Sequence, residues 1–350
     1  MDYRTLIREE LRHLRPYFPD RYREKQNDPV WIDANENPYS QKWGRYPSPV
    51  NARLQQEVSL IRDFPADQIF LSHGSDEAID LIIRTFCTPQ QDAVSVLSPA
   101  FEMYAHAARI AAVKVNTFQM EAPYRPGAEL ADEILDTPGK VLFLCSPNNP
   151  TGNLMPEPFM QKILDQWPGI IVIDEAYIDF AEQPSKTALI ANHPNLVVMQ
   201  TFSKAFGLAA LRIGMTFAQK WIIDTLEAVK MPYNVSQASC EIALDLLQQY
   251  GYPETEIRKI IDERKKLESM LSQFSFVEQV YPSDANFLLV KCTDAAGLYH
   301  WLKERGIFVR LRKEPACKNC LRITVGTPSE NTVFLTALEN YMQALQNQES

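Results

Sequence analysis

The sequence is short of glycine, with 12 glycines against 24 prolines in 350 residues. Ordinary usage is about 7%, or about 24 glycines in a chain of this length. That scarcity excludes collagen-like and glycine-linker architectures and makes the position of each glycine informative. Positive charge is also in deficit, with 35 Lys and Arg against 44 Asp and Glu and a net charge of −9. Such a surface suits neither a nucleic-acid backbone nor an anionic membrane, so neither partner is expected. No apolar run reaches the ~18 residues of a membrane span. The opening stretch MDYRTLIREELRHLRPYFP has no apolar core of signal-peptide length. The six cysteines are scattered. Cys87 and Cys145 lie in apolar runs and read as buried thiols. Cys317 and Cys320 form a lone CxxC; zinc would require a further pair of ligands nearby, so no metal is expected there. A reducing cytoplasm fits this usage. The GxGxxG, GxxxxGK[ST], HExxH and GxSxG patterns are all missing, which weighs against dinucleotide, P-loop, zincin and α/β-hydrolase chemistry.

What is present has globular composition, 45% hydrophobic and 23% charged. The spacing predicts a helix over residues 76–87. Short apolar strands are predicted at Val94–Leu97, Val113–Phe118, Val141–Cys145, Ile170–Ile173, Leu196–Met199 and Leu211–Phe217. Strands that are apolar throughout indicate an α/β fold with a mostly parallel sheet covered by helices on both faces. Beyond residue 219 helices dominate. They are followed by strands at Phe276–Val280, Asn286–Lys291, Ile307–Leu311 and Leu321–Val325, with helices at 295–305 and 329–346. This reads as a smaller α+β domain. The expected division is an N-terminal segment over 1–40 that packs with the small domain and a dimer partner, a large domain over 41–255 and a small domain over 256–350.

Four constellations carry chemistry. Gly74-Ser75-Asp76-Glu77 follows the strand-like Ile69-Phe70-Leu71; a glycine turn with Ser75 or Asp76 as helix cap exposes backbone N–H groups to an anion. Ser146-Pro147-Asn148-Asn149-Pro150-Thr151-Gly152 stands at the carboxyl end of a buried strand, where open α/β sheets bind ligands. Asp174, in Ile173-Asp174-Glu175-Ala176-Tyr177, closes the next apolar strand, and a carboxylate there needs a cationic or N–H partner. Lys204 follows a third strand within Thr201-Phe202-Ser203-Lys204-Ala205-Phe206-Gly207-Leu208. The phenylalanines beside it suggest an apolar surrounding, which lowers an amine's pKa and makes it nucleophilic. Ser203 and Arg212 flank it as phosphate-type ligands. A lysine nucleophile, an aspartate, amide and phenol donors and an anion cradle together suit pyridoxal phosphate.

The order and spacing of SPNNPTG, DEAY and SKAFGLAALRIG resemble those of the fold-type-I pyridoxal-phosphate-dependent aminotransferases. Leu14-Arg15-Pro16-Tyr17, Ala34-Asn35-Glu36-Asn37-Pro38, Arg45-Tyr46-Pro47 and Leu321-Arg322-Ile323-Thr324-Val325-Gly326-Thr327 resemble the histidinol-phosphate branch of that family. The resemblance implies that Lys204 binds the cofactor covalently and moves the substrate proton. It implies that Asp174 holds the pyridine nitrogen protonated, and that Asn149 and Tyr177 bond the phenolic oxygen. Phe101 would stack on the ring, where the family often has Tyr. Ser75, Asp76, Ser203 and Arg212 would form the phosphate cradle, with Tyr46 reaching in from the partner of a homodimer. Tyr17, Arg310 and Arg322 would meet the substrate's anionic end. The implied reaction transfers the amino group of histidinol phosphate to 2-oxoglutarate in histidine biosynthesis. An aromatic amino acid aminotransferase and a threonine-phosphate decarboxylase share the motifs and stand as alternatives. A cofactor-free binding module on the same fold is disfavoured because both Lys204 and Asp174 are present. Ala78 and Ala210 stand where the family commonly has glycine.

Overall fold

Apolar strands that alternate only with short turns and amphipathic helices must bury both of their faces. The computed structural model, which describes residues 2–22, 30–39, 42–49 and 51–349, shows how they do so. Strands β1 (Ile69–His73), β2 (Ala93–Ser98), β3 (Lys114–Gln119), β4 (Val141–Cys145), β5 (Ile170–Asp174), β6 (Leu196–Thr201) and β7 (Ile213–Ala218) form one seven-stranded sheet in the order β1-β7-β6-β5-β4-β2-β3. All neighbouring pairs from β3 to β6 are parallel; β7 runs antiparallel to both β6 and β1. Every residue of β4 to β7 is buried. Alternate side chains serve opposite faces. Leu142, Leu144, Ile171, Ile173 and Val198 pack with Phe159, Met160 and Ile163 of α5 (Glu157–Gln166). Val141, Phe143, Ile170, Val172 and Val197 pack with Ile79, Ile82 and Phe86 of α2 (Gly74–Phe86) and Ile222 of α6 (Lys220–Val229).

A second sheet is wholly antiparallel, in the order β10-β11-β9-β8: β8 (Val277–Tyr281), β9 (Phe287–Cys292), β10 (Arg310–Leu311) and β11 (Cys320–Thr324). It packs on α8 (Glu254–Leu271), α9 (Ala295–Glu304) and α10 (Pro328–Glu349). The extended run predicted over Ile307–Leu311 pairs only at Arg310 and Leu311. It lies at the sheet edge with Phe308 exposed, so nothing holds its first residues in a ladder. The two sheets share packing: Tyr281, Leu289, Cys317 and Cys320 join the apolar cluster on the α5 face of the large sheet. Arg264 of α8 is buried and donates to the carbonyls of Ala285 (2.6 Å) and Phe180 (3.4 Å), tying the second sheet to the loop after β5. The N-terminal segment's hydrogen bonds outside itself, among the described residues, include Arg8 N–H to Thr85 and the Arg8 guanidinium to Arg84, both in α2. Among the described residues no helix is long and apolar enough to cross a membrane.

The helix α2 differs from expectation at its start. The helix begins at Gly74, whose φ of +72° is left-handed, and His73 is the cap residue. The His73 N–H donates to Glu77 at 2.5 Å, and Ser75 and Asp76 fall in the first turn rather than capping it. Asp76 and Glu77 there suit the positive end of the helix dipole. Strand β7 passes unusually close to this turn: a Cβ on Gly214 would lie 2.6 Å from the Gly74 carbonyl carbon and 2.7 Å from the Ser75 nitrogen. Both are backbone atoms of a packed junction and have little room to move. Gly214→Ala is therefore expected to cost about 1–3 kcal/mol of stability, measured as a lowered midpoint in urea unfolding of the full chain.

Candidate active site

Parallel strands end on one edge of a sheet, so residues distant in sequence meet there. Ser75 and Asp76 follow β1, Phe101 follows β2, Asn149 follows β4, Asp174 ends β5 with Tyr177 close behind, and Ser203 and Lys204 follow β6. Arg212 precedes β7, whose reversed direction returns it to the same edge. All of these line one cavity of about 250 Å³, which Arg322 from β11 also reaches.

Asp174 is 2% exposed. One carboxylate oxygen accepts the Tyr104 hydroxyl at 2.6 Å and the other accepts the Ala176 N–H at 3.0 Å. Burial pushes its pKa up, and these two donors pull it partly back. The motifs did not single out Tyr104. It is fully buried in α3 (Met103–Ile110), stacked on Phe143 (4.8 Å, 9°) and edge-on to Phe101 (5.6 Å, 82°). The only sequence signal for it is the spacing, three residues beyond Phe101 at a helix start, which sets both on one face.

Asn149 bridges two groups: its amide N–H donates to the Tyr177 hydroxyl (3.3 Å), and its oxygen accepts from Arg322 (2.6 Å). Burial raises the Tyr177 phenol's pKa. Lys204 has no hydrogen-bond or ion-pair partner among the described residues, and its Nζ lies 5.6 Å from the Tyr177 ring centre. Partial burial, helped by the charge of Arg322, lowers its pKa. The direction and its leading cause, burial, are as expected, but the burial is partial. Phe202 and Phe206 pack against each other at 4.7 Å in the core beneath, and the lysine itself opens onto the cleft. Its amine is weakened at the mouth of a cavity rather than inside an apolar shell.

At the other end, Arg212 reaches the Ser203 hydroxyl and the Asp76 carboxylate, each at 3.4 Å. The Thr201 hydroxyl donates to Ser203 at 3.0 Å. A Cβ on Gly74 would lie 2.5 Å from the Arg212 guanidinium, so glycine keeps the turn open to that side chain. These residues fit pyridoxal phosphate. A buried carboxylate can face a ring nitrogen, an amide and a phenol a ring oxygen, and a hydroxyl, a guanidinium and a helix N-terminus a phosphate.

Tyr17, Tyr46 and Arg310 lie outside this cavity. Tyr17 (62% exposed) and Tyr46 (50%) both pack on Tyr233, with ring centres at 6.3 Å and 4.8 Å. The Tyr46 loop is held by Glu36. Its side chain, 3% exposed, accepts from Arg21, from Arg45 (2.7 Å) and from the Tyr46 N–H (2.7 Å). The Arg21 hydrogen bond is the main cause holding the Glu36 carboxyl down at about 2. Arg310 lines a second cavity of about 280 Å³ with Arg312, Arg322, Asn149, Phe101 and Glu102. The two cavities share Phe101, Asn149 and Arg322. Cys317 and Cys320 are buried free thiols, raised by burial to about 11 and about 12.

Tyr104→Phe leaves one buried carboxylate oxygen without its donor, an expected cost of about 1–3 kcal/mol. The pKa of Asp174 is already raised by burial, so the fold favours its neutral form. The penalty for ionised Asp174 grows as pH climbs from the ordinary carboxylate range through the folded pKa. The variant's stability loss, read by urea unfolding of the cofactor-free chain, is expected to be larger at pH 8 than at pH 5.

A family model described as aminotransferase class I and II matches residues 20–338. A histidinol-phosphate aminotransferase of Parabacteroides distasonis is 44% identical over 340 residues, 97% of this chain and 99% of that one. Among solved structures, the histidinol-phosphate aminotransferase of Clostridium acetobutylicum superposes with a TM-score of 0.77 at 24% identity, over 86% of this chain and 92% of that chain. That of Sinorhizobium meliloti, solved with pyridoxal-5′-phosphate, also gives 0.77, at 22% identity over 86% and 83%. The two structures share the fold; the sequence relatives and the family model carry the assignment further. With the strand-end cavity and its lysine in place, this chain belongs to the class I and II aminotransferases, within the branch of the histidinol-phosphate aminotransferases.

Proposed function

We propose that the protein uses pyridoxal phosphate to transfer the amino group of L-histidinol phosphate to 2-oxoglutarate, yielding imidazole-acetol phosphate and L-glutamate, in histidine biosynthesis. The observation that carries the reading is one cavity holding a pKa-lowered lysine and a buried aspartate, which shares Phe101, Asn149 and Arg322 with a second cavity rich in arginine. When bound, the cofactor supplies an electron sink for negative charge at the substrate Cα.

The chain's residues do the rest. Lys204 takes the proton from Cα and returns it; a lowered pKa keeps part of the amine neutral and able to accept it. Asp174 would hold a proton on the ring nitrogen, and the burial cost of its carboxylate would be offset by the positive charge beside it. Tyr104 fixes which way that carboxylate faces. Asn149 and Tyr177 orient the ring oxygen, Phe101 covers the ring, and Ser75, Asp76, Ser203 and Arg212 hold the phosphate. Arg322, pinned by Asn149, and Arg310 receive the substrate's anionic groups, and the planar guanidinium fork accepts phosphate or carboxylate. Tyr46, exposed and away from its own cavity, serves the partner's site in a homodimer, and Tyr17 lies on the same aromatic cluster. Full activity of a monomer at assay concentration overturns the dimer reading. Six unpaired thiols suit a reducing cytoplasm.

Lys204→Ala is expected to lose activity by about 10²–10⁴-fold or more together with the yellow colour of the holoenzyme. Asp174→Ala is expected to lose about 10²–10³-fold. Tyr177→Phe should fall by about tenfold or less, the worth of one hydrogen bond. Steady-state kinetics beside absorbance spectra read all three. For the donor, histidinol phosphate, phenylalanine and threonine phosphate are compared with 2-oxoglutarate as acceptor. Histidinol phosphate should turn over fastest. Equal or faster turnover of phenylalanine, or CO₂ release from threonine phosphate, overturns the assignment.

A further inference from the structure

The second cavity contains more positive charge than the motifs account for. Arg310 and Arg322 stand opposite each other in the β10–β11 ladder, and both were expected to meet substrate. The third guanidinium, Arg312, was not. Its residue is 8% exposed, yet it lines the same cavity. Glu314 grips its Nε and Nη2 edge, with Nε to Oε2 at 3.2 Å, which fixes the plane of the fork. Its other carboxylate partner is different in kind. Glu102, the residue after the ring-covering Phe101, touches Nη2 only at 3.4 Å, and its side chain is 67% exposed. A long ion pair to an exposed carboxylate is weak and easily exchanged for another anion.

The demands of the reaction make this arrangement informative. A carboxylate is satisfied by one bidentate guanidinium, and Arg322 has one arm on Asn149 and its remaining N–H groups without partners among the described residues. A phosphate monoester has three terminal oxygens and up to two negative charges. Burial and the two neighbouring arginines lower the pKa of Arg322, so the cluster gains from an added anion. Resting on the donor reading above, we infer that Arg312 is a specificity-determining residue that binds the donor's phosphate, with the Glu102 carboxylate as the placeholder that the phosphate displaces. Glu314 holds the guanidinium ready. Glutamate, which has carboxylates only, draws on Arg312 far less.

The test uses the holoenzyme and inorganic phosphate as a competitive inhibitor of the glutamate half-reaction, so it does not depend on knowing the donor. Arg312→Gln is expected to raise the phosphate inhibition constant about tenfold, the value of a lost charge-assisted contact. Arg312→Lys, which keeps the charge and loses the fork, should fall between it and the parent. Glu102→Gln, at an exposed side chain that makes no cap hydrogen bond to α3, should lower the inhibition constant and the KM for histidinol phosphate. A purely structural role for the Glu102–Arg312 pair would move both variants in the same direction. An inhibition constant unchanged in Arg312→Gln, or raised in Glu102→Gln, overturns the inference. Failure of the donor reading shows separately, in the parent enzyme alone, as a preference for phenylalanine.

Discussion

A carboxylate buried at the end of the central strand sets the terms for everything around it. Asp174 and Glu175 follow one another at the end of β5, and both are buried. An ionised carboxylate removed from water is costly unless donors replace the water. Successive residues of a strand point to opposite faces, so each carboxylate has its own network. Glu175 accepts from the Ser185 hydroxyl (2.5 Å), the Lys186 N–H (2.7 Å) and Gln200 (2.9 Å), which is a closed, structural solution. Among the described residues Asp174 has only Tyr104 and one backbone N–H, and it faces a cavity. Glu175 is satisfied within the fold, whereas Asp174 is left in want of a cation. In the proposed reading, a protonated pyridine ring would complete it.

The sheet makes this possible by bringing five parallel strand ends to one edge and adding β7 in reverse. Reversal matters because Arg212 stands before β7 and not after it. In a parallel arrangement it would leave the sheet on the far side. The same reversal forces β7 against the first turn of α2, where Gly74 and Gly214 let the backbones approach. The placement of Arg212 beside the α2 turn and the strand order are thus one constraint, and glycine remains at the points where a Cβ would break it.

Much of this was legible in the sequence, for a physical reason. Strands buried on both faces are apolar throughout, and the polar residues that follow them have no structural excuse for their place. Asn149, Asp174, Ser203 and Lys204 all stand out in that way. What stayed hidden depends on direction rather than composition. Tyr104 lies in a helix like any core aromatic, and only the fold turns its hydroxyl to Asp174. Phe202 and Phe206 flank Lys204 in the chain and pack against each other, so they overstate how enclosed it is: its pKa is lowered by burial as expected, yet the side chain opens onto the cleft. Arg312 lies in an edge hairpin among charged residues, where a solvated side chain is the ordinary reading; pairing of β10 with β11 carries it inward. Tyr17 and Tyr46 gather on Tyr233, and no pattern in one chain reveals contacts that a second copy would supply.

Net charge argued against nucleic-acid and membrane partners, while the proposed substrates and cofactor are small anions. The two statements are compatible because they concern different distances. Beyond about 8 Å, physiological salt screens the field of the whole surface, so the excess of 9 negative charges discourages polyanions that must lie along the protein. Inside a cleft with low-dielectric walls, local charges dominate. Arg212 and Lys204 line one cavity, Arg310 and Arg312 the other, and Arg322 both. Arg212, Arg312 and Arg322 are held by hydrogen bonds within the fold, so little reorganisation of these three is required when an anion arrives. An acidic exterior with a cationic cleft selects small anions over large ones, because only a molecule that fits between Phe101 and the arginines exchanges the repelling field for the attracting one.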